Sequence, residues 1–85
     1  MPKSVFTSAY ASFLKVLIAA RKRAGLSQEE VAKRIGRKQT FISVIERGDR
    51  RLDLIEFCVL ARAMHLEPTA LLAEIVAELP DQIDI

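Results

Sequence analysis

The stretch "SQEEVAKRIGRKQTFISVIERG", Ser27 to Gly48, decides how this chain folds. Its apolar residues recur at helical intervals: Val31, Ala32 and Ile35, then Ile42 and Ile45. Ser27 followed three residues later by Glu30 is a capping-box pattern, which predicts a helix from Gln28 to about Ile35. Only Gly36, Arg37 and Lys38 separate it from the next helix, and so tight a corner needs the left-handed backbone that Gly36 tolerates. That next helix is predicted over about Gln39 to Arg47, with Gly48 ending it. Ala32, one turn before the corner, is small enough for the two helices to cross closely. Ile42 and Ile45 turn the second of them back onto the core. Gln39, Thr40, Ser43 and Arg47 are left along one outward stripe, because steps of three and four share a helical face. This is the form of a helix-turn-helix, residues 28–47, whose polar stripe could read base edges in a major groove.

Working outward, a first helix is predicted from about Ser8 to Ala24, on the stripe Tyr10, Phe13, Leu14, Leu17 and Ile18, with Gly25 as its stop. Residues 1–7 read as an irregular arm. Asp53 and Glu56 form a second capping pattern and open a fourth helix that reaches about Met64. It is apolar nearly all round and is expected at the centre of the core. Pro68 suits the first turn of a fifth helix, which runs to about Leu79, and "DQIDI" reads as a frayed tail. The expectation is one all-α, five-helix domain over residues 1–85.

Composition agrees: 51% of the residues are hydrophobic, 6% are aromatic, and glycines number three, which favours helices over a sandwich or barrel. The run "AYASFLKVLIAA" is shorter than the roughly 20 apolar residues that span a bilayer, and Lys15 interrupts it. A single cysteine cannot form an internal disulfide, so a cytosolic, cytoplasmic protein is expected. The net charge of +2 hides an uneven distribution. Residues 1–51 hold 12 Lys or Arg against 4 Asp or Glu, whereas residues 52–85 hold one Arg against 7 acids. The basic half is suited to a polyanion, although small proteins also carry uneven charge by chance.

Cys58 and His65 are seven residues apart on one helix face, but two residues do not make a metal site. Cys58 is expected in the core, and His65 near a helix end where a cation suits the dipole. No catalytic triad can be assembled around the single His, and no Gly-rich phosphate loop occurs. Neither an enzyme nor a cofactor is expected.

"LSQEEVAKRIG", "QTFISVIERG" and "LARAMHLEPTALL", in that order and spacing, resemble the lambda-repressor-like family, also called Cro/C1 or XRE. The resemblance covers about Arg21 to Leu72. It implies a compact five-helix fold that binds operator DNA as a dimer. It also implies that Gln28 contacts phosphate and braces Gln39, that Thr40 and Ser43 continue the base-reading set, and that Arg47 and Arg50 contact phosphate. Arg37 departs from the family, which has an apolar residue after the turn glycine. Either its stem covers the core edge while the guanidinium reaches solvent, or it reaches DNA. The loop "GDRRLD" lacks the family's common proline, but Asp53 can still cap. With no ligand domain or cleavage linker after the unit, the chain resembles stand-alone members: Cro-type phage regulators, restriction–modification controller proteins and antitoxins.

Arg21 lies on the inward stripe of the first helix and Glu46 beside Ile42 and Ile45, and a charge on an inward face needs a partner. The family often pairs an arginine and a glutamate here, so an Arg21–Glu46 ion pair is expected; the alternative is an early helix end and a solvated Arg21. On the fifth helix, Ile75, Val76 and Leu79 either close the core or form part of a dimer interface, symmetric dimers being the commonest oligomers. The reading is a sequence-specific regulator, a dimeric repressor that puts its third helix into the major groove of double-stranded operator DNA. Gln39, Thr40 and Ser43 would read bases; Gln28, Arg37, Lys38, Arg47, Arg50 and Arg51 would hold phosphates. The rival is a protein-binding module, such as an antitoxin with a toxin partner, which would not need the basic stripe of Arg37, Lys38, Arg47, Arg50 and Arg51.

Overall fold

The computed structural model describes residues 7–83. Five helices follow in order: α1 (Ser8–Arg23), α2 (Gln28–Arg34), α3 (Gln39–Glu46), α4 (Leu54–Ala63) and α5 (Pro68–Glu78). Each begins at the residue expected from the sequence. Thr7 caps α1 by accepting from the Tyr10 N–H at 3.1 Å, while residues 1–6 of the expected arm lie outside the described residues. Both capping boxes form. The Ser27 hydroxyl accepts from the Glu30 N–H at 3.1 Å and the Ser27 N–H donates to the Glu30 carboxylate at 2.8 Å. The corresponding distances at Asp53 and Glu56 are 2.7 and 3.1 Å. Pro68 occupies the first turn of α5.

The first four helices end alike. In each, a residue with left-handed backbone follows the helix, and the next N–H reaches back five residues to a carbonyl: Leu26 to Arg21, Arg37 to Ala32, Asp49 to Val44 and Leu66 to Ala61. Gly25, Gly36 and Gly48 hold three of these positions, and His65, with φ of 60°, holds the fourth. His65 therefore closes α4 through its backbone rather than only lying near a helix end. The corner after α2 takes only four residues, and Gly36 at φ 72° makes it.

Every helix contributes to one core. It contains Tyr10, Leu14, Leu17 and Ala20 from α1, Val31 and Ala32 from α2, Ile42 and Ile45 from α3, Phe57, Leu60 and Ala61 from α4, and Leu71 and Ile75 from α5. Met64, just past α4, joins them. Ile45 is fully buried, so α3 is pinned from beneath.

Two expectations need correction. α4 is not a central helix: Leu54 and Ile55 are 68% and 71% exposed, and Val59 is also exposed. Its helical neighbours pack against one side only, and an apolar outer face does not create something to cover it. On α5, Ile75 is 4% exposed and belongs to the core, and Leu79 packs against that core. Ile75 therefore does not face outward as a dimer residue would. Of the three residues assigned to an interface, Val76 alone is largely exposed, with Leu72 one turn before it.

Candidate nucleic-acid interface

The outer edge of α3 is held by a chain of hydrogen bonds that starts inside the protein. Arg21 on α1 donates from Nε and Nη2 to the two Glu46 oxygens at 2.6 and 2.9 Å. Its Nη1 donates to the Leu26 carbonyl at 2.8 Å, so the guanidinium also ties down the α1–α2 turn. Both side chains are nearly buried, at 11% and 8% exposure, and the pair is bidentate as charge and planarity favour. The Glu46 Oε1 atom accepts a further bond, from Gln28 Nε2 at 2.9 Å. Gln28 Oε1 in turn accepts from Gln39 Nε2 at 2.8 Å. The expected ion pair and the expected brace between Gln28 and Gln39 are thus one connected network.

The direction of these bonds follows from chemistry. Glu46 as a carboxylate only accepts, so Gln28 must present its NH₂ to it and its oxygen to Gln39. Gln39 must then donate. Its own Oε1 and second N–H remain, side by side at the exposed start of α3. A donor beside an acceptor is the pattern that matches the major-groove edge of adenine.

The remaining expected residues differ in availability. Thr40 and Lys38 are exposed, and neither side chain has a hydrogen bond among the described residues. Ser43 Oγ accepts from Arg47 Nη1 at 2.9 Å, and Arg47 Nε donates to Asp49 at 2.9 Å. This pair is more than half exposed, and such pairs exchange readily for another anion. Arg51 stacks on the Tyr10 ring, 4.4 Å from its centroid, and the Tyr10 hydroxyl accepts from the Leu52 N–H at 3.0 Å. Arg37 stacks on Phe41, 4.4 Å from that centroid.

Arg50 is paired within the protein. Its two Nη atoms donate to the Glu56 oxygens at 2.9 and 2.8 Å, and Nη1 also donates to the Arg51 carbonyl at 3.1 Å. Those bonds from Arg50, then the Asp53 N–H, pull the Glu56 carboxyl down to about 2. The same bonds raise the Arg50 pKa further. Sequence reasoning identified Glu56 only as a capping residue. Its second role depends on how the α3–α4 loop folds back, which no local spacing reveals.

Two short helices at a glycine corner, the second presenting braced amides and hydroxyls, define a helix-turn-helix protein. The chain belongs to the XRE-type helix-turn-helix family: the family model described as Helix-turn-helix matches residues 17–71. Among solved structures, it is similar to an XRE-family like protein from Pseudomonas syringae pv. tomato str. DC3000. The two are 42% identical, with 86% of this chain and 89% of that chain covered and a TM-score of 0.79. It is also similar to the restriction-modification controller protein C.AhdI from Aeromonas hydrophila. That match is 32% identical, covers 76% of this chain and 98% of that chain, and has a TM-score of 0.68. No curated protein matches the chain. The family and these neighbours support a DNA-binding transcription regulator. Among the described residues, no helix is long and apolar enough to cross a membrane.

Proposed function

We propose that the protein is a dimeric repressor that inserts α3 into the major groove of operator DNA. Gln39, Thr40 and Ser43 read base edges. Arg37, Lys38, Arg47 and Arg51 hold phosphates, with Gln28 as brace and by its remaining N–H. The observation that carries this reading is the bonded chain from Arg21 through Glu46 and Gln28 to Gln39, at 2.6–2.9 Å. An amide held this firmly at an exposed helix start, with a donor and an acceptor left over, is suited to base recognition and unnecessary for folding alone.

For the dimer, the support is exposed apolar surface on α4 and α5: Leu54, Ile55, Val59, Leu72 and Val76. These exposed residues lie outside the core of one chain, and isologous contact between two copies would cover them. The likeness to C.AhdI favours a second, narrower reading, a controller protein of a restriction–modification system.

Selection of bound sequences from a random duplex pool tests the function. The expected result is an imperfect palindrome with half-sites about 34 Å apart, one turn of the duplex. A pool that shows no enrichment over its starting composition would refute sequence-specific binding. Val76→Asp together with Ile55→Asp is expected to give a folded monomer in sedimentation that loses specific binding. An unchanged dimer would remove this surface from the interface.

A further inference from the structure

Arg37 is the residue that departs from the family pattern, and its surroundings are equally particular. Two guanidinium groups share the Phe41 ring: Arg37 at 4.4 Å and Arg50 at 5.0 Å from the centroid. Their charges are handled differently. Arg50 is matched by Glu56 through two bonds. Arg37 has no hydrogen bond among the described residues; it lies over the ring, and its charge also acts, more weakly than Arg50, on Glu56. It is exposed in the α2–α3 corner and, with Lys38 and Thr40, lines an open concavity beside the start of α3 that Gly36, Phe41 and Val44 complete.

Stacking has a chemical consequence. A ring contacts the flat face of a guanidinium and leaves the N–H donors on its edge free. An arginine held in this way keeps its bidentate fork for a phosphate oxygen pair and has fewer rotamers left to lose. Phe41 itself is half-buried and packs against the core, between this concavity and a second one that Ile35, Ile55, Val59 and Leu60 also line. The ring is therefore a fixed support and has no polar atom with which to read a base.

We infer that Phe41 is a positioning residue for DNA binding: it orders Arg37 beside Lys38 as a phosphate clamp at the front of the recognition helix. Glu56 has a part as well, since it neutralises Arg50 and spares the shared ring two uncompensated cations. The inference rests on the DNA-binding reading. Because a phosphate contact carries no sequence information, it can be tested without knowing the operator.

The experiment measures affinity for a random-sequence 20-base-pair duplex across a salt series, for wild type, Arg37→Ala, Phe41→Leu, Phe41→Tyr and the Arg37→Ala/Phe41→Leu double variant. Circular dichroism melts accompany each protein. Arg37→Ala is expected to weaken binding and to flatten the salt slope by about 1, the share of a single neutralised phosphate. Phe41→Leu is expected to weaken binding about three- to fivefold, the value of an exposed cation–ring interaction. In the Arg37→Ala background it should change nothing, and Phe41→Tyr should bind as wild type. A helix that merely packs less well would lose affinity equally in both backgrounds; that additivity, or a Phe41→Leu protein binding as wild type, overturns the inference. Failure of the wild type itself to show salt-dependent binding would instead refute the DNA-binding reading beneath it.

Discussion

Among the described residues, two arginine–glutamate pairs use two guanidinium nitrogens each, and their settings differ. Arg21–Glu46 joins α1 to α3 and is nearly buried, whereas Arg50–Glu56 joins the α3–α4 loop to α4 with 40% and 26% of the side chains exposed. The bond lengths are similar. What differs is what each pair is attached to. Glu46 has a third donor, Gln28, and through it sets the orientation of Gln39. Glu56 has the Asp53 N–H, so its pair completes a helix cap. A buried pair is expensive to break because the surviving charge is stranded, while an exposed one can rehydrate. The first pair is thus coupled both to folding and to the placement of Gln39, and the second to the α3–α4 loop.

The largest expected effect comes from breaking the buried pair. Arg21→Ala leaves Glu46 without its main partner, and loss of one member of a buried pair costs about 3–5 kcal/mol. Urea unfolding measures it, and a double-mutant cycle with Glu46→Ala separates coupling from weakened packing. A coupling energy near zero would mean that the two pairs are equivalent after all.

Next in size are effects passed along the chain to the DNA. Gln39→Ala is expected to cost about 1–3 kcal/mol on the selected operator and much less on random duplex. Gln28→Leu should reproduce part of that loss while leaving the melting temperature close to wild type, because it removes the brace without stranding a buried charge. Equal losses on both DNAs would show that the network supports binding but not base recognition.

The contrast also explains what the sequence could reveal. Arg21 was legible because a charge fell on an inward apolar stripe, and Glu46 as its partner because the family it resembles often pairs an arginine and a glutamate at these positions. The capping boxes at Ser27 and Asp53 were legible because they are local, three residues from cap to partner. Arg50 was not, since its free or paired state depends on a loop of irregular backbone returning to Glu56. Burial on α4 and α5 was misjudged for a related reason. Periodicity marks which residues share a face, but whether another element covers that face is a tertiary matter, so Ile55 and Ile75 exchanged their expected environments. His65 escaped because its left-handed backbone position resembles that of the three glycines in geometry but not in residue type.

The smallest effects belong to the exposed pair, and salt and pH reveal them. If Arg50 is committed to Glu56, Arg50→Ala should leave the salt slope of DNA binding unchanged, whereas Arg47→Ala should flatten it by about 1. The stability cost of Arg50→Ala should be small, given the exposure of the pair. The acid limb supplies a second reading. Glu56 has its carboxyl lowered from 4.5 to about 2, by the Arg50 side chain first and the Asp53 N–H second. A lowered carboxylate stabilises the folded state above its unfolded value, and that contribution disappears as pH falls from about 4.5 through about 2. Melting temperatures recorded across that window should fall more steeply for wild type than for Glu56→Gln, which has no proton to take up there. Parallel curves would mean that the carboxyl titrates as an ordinary surface acid and that Arg50 is free for DNA, which would erase the distinction between the two pairs.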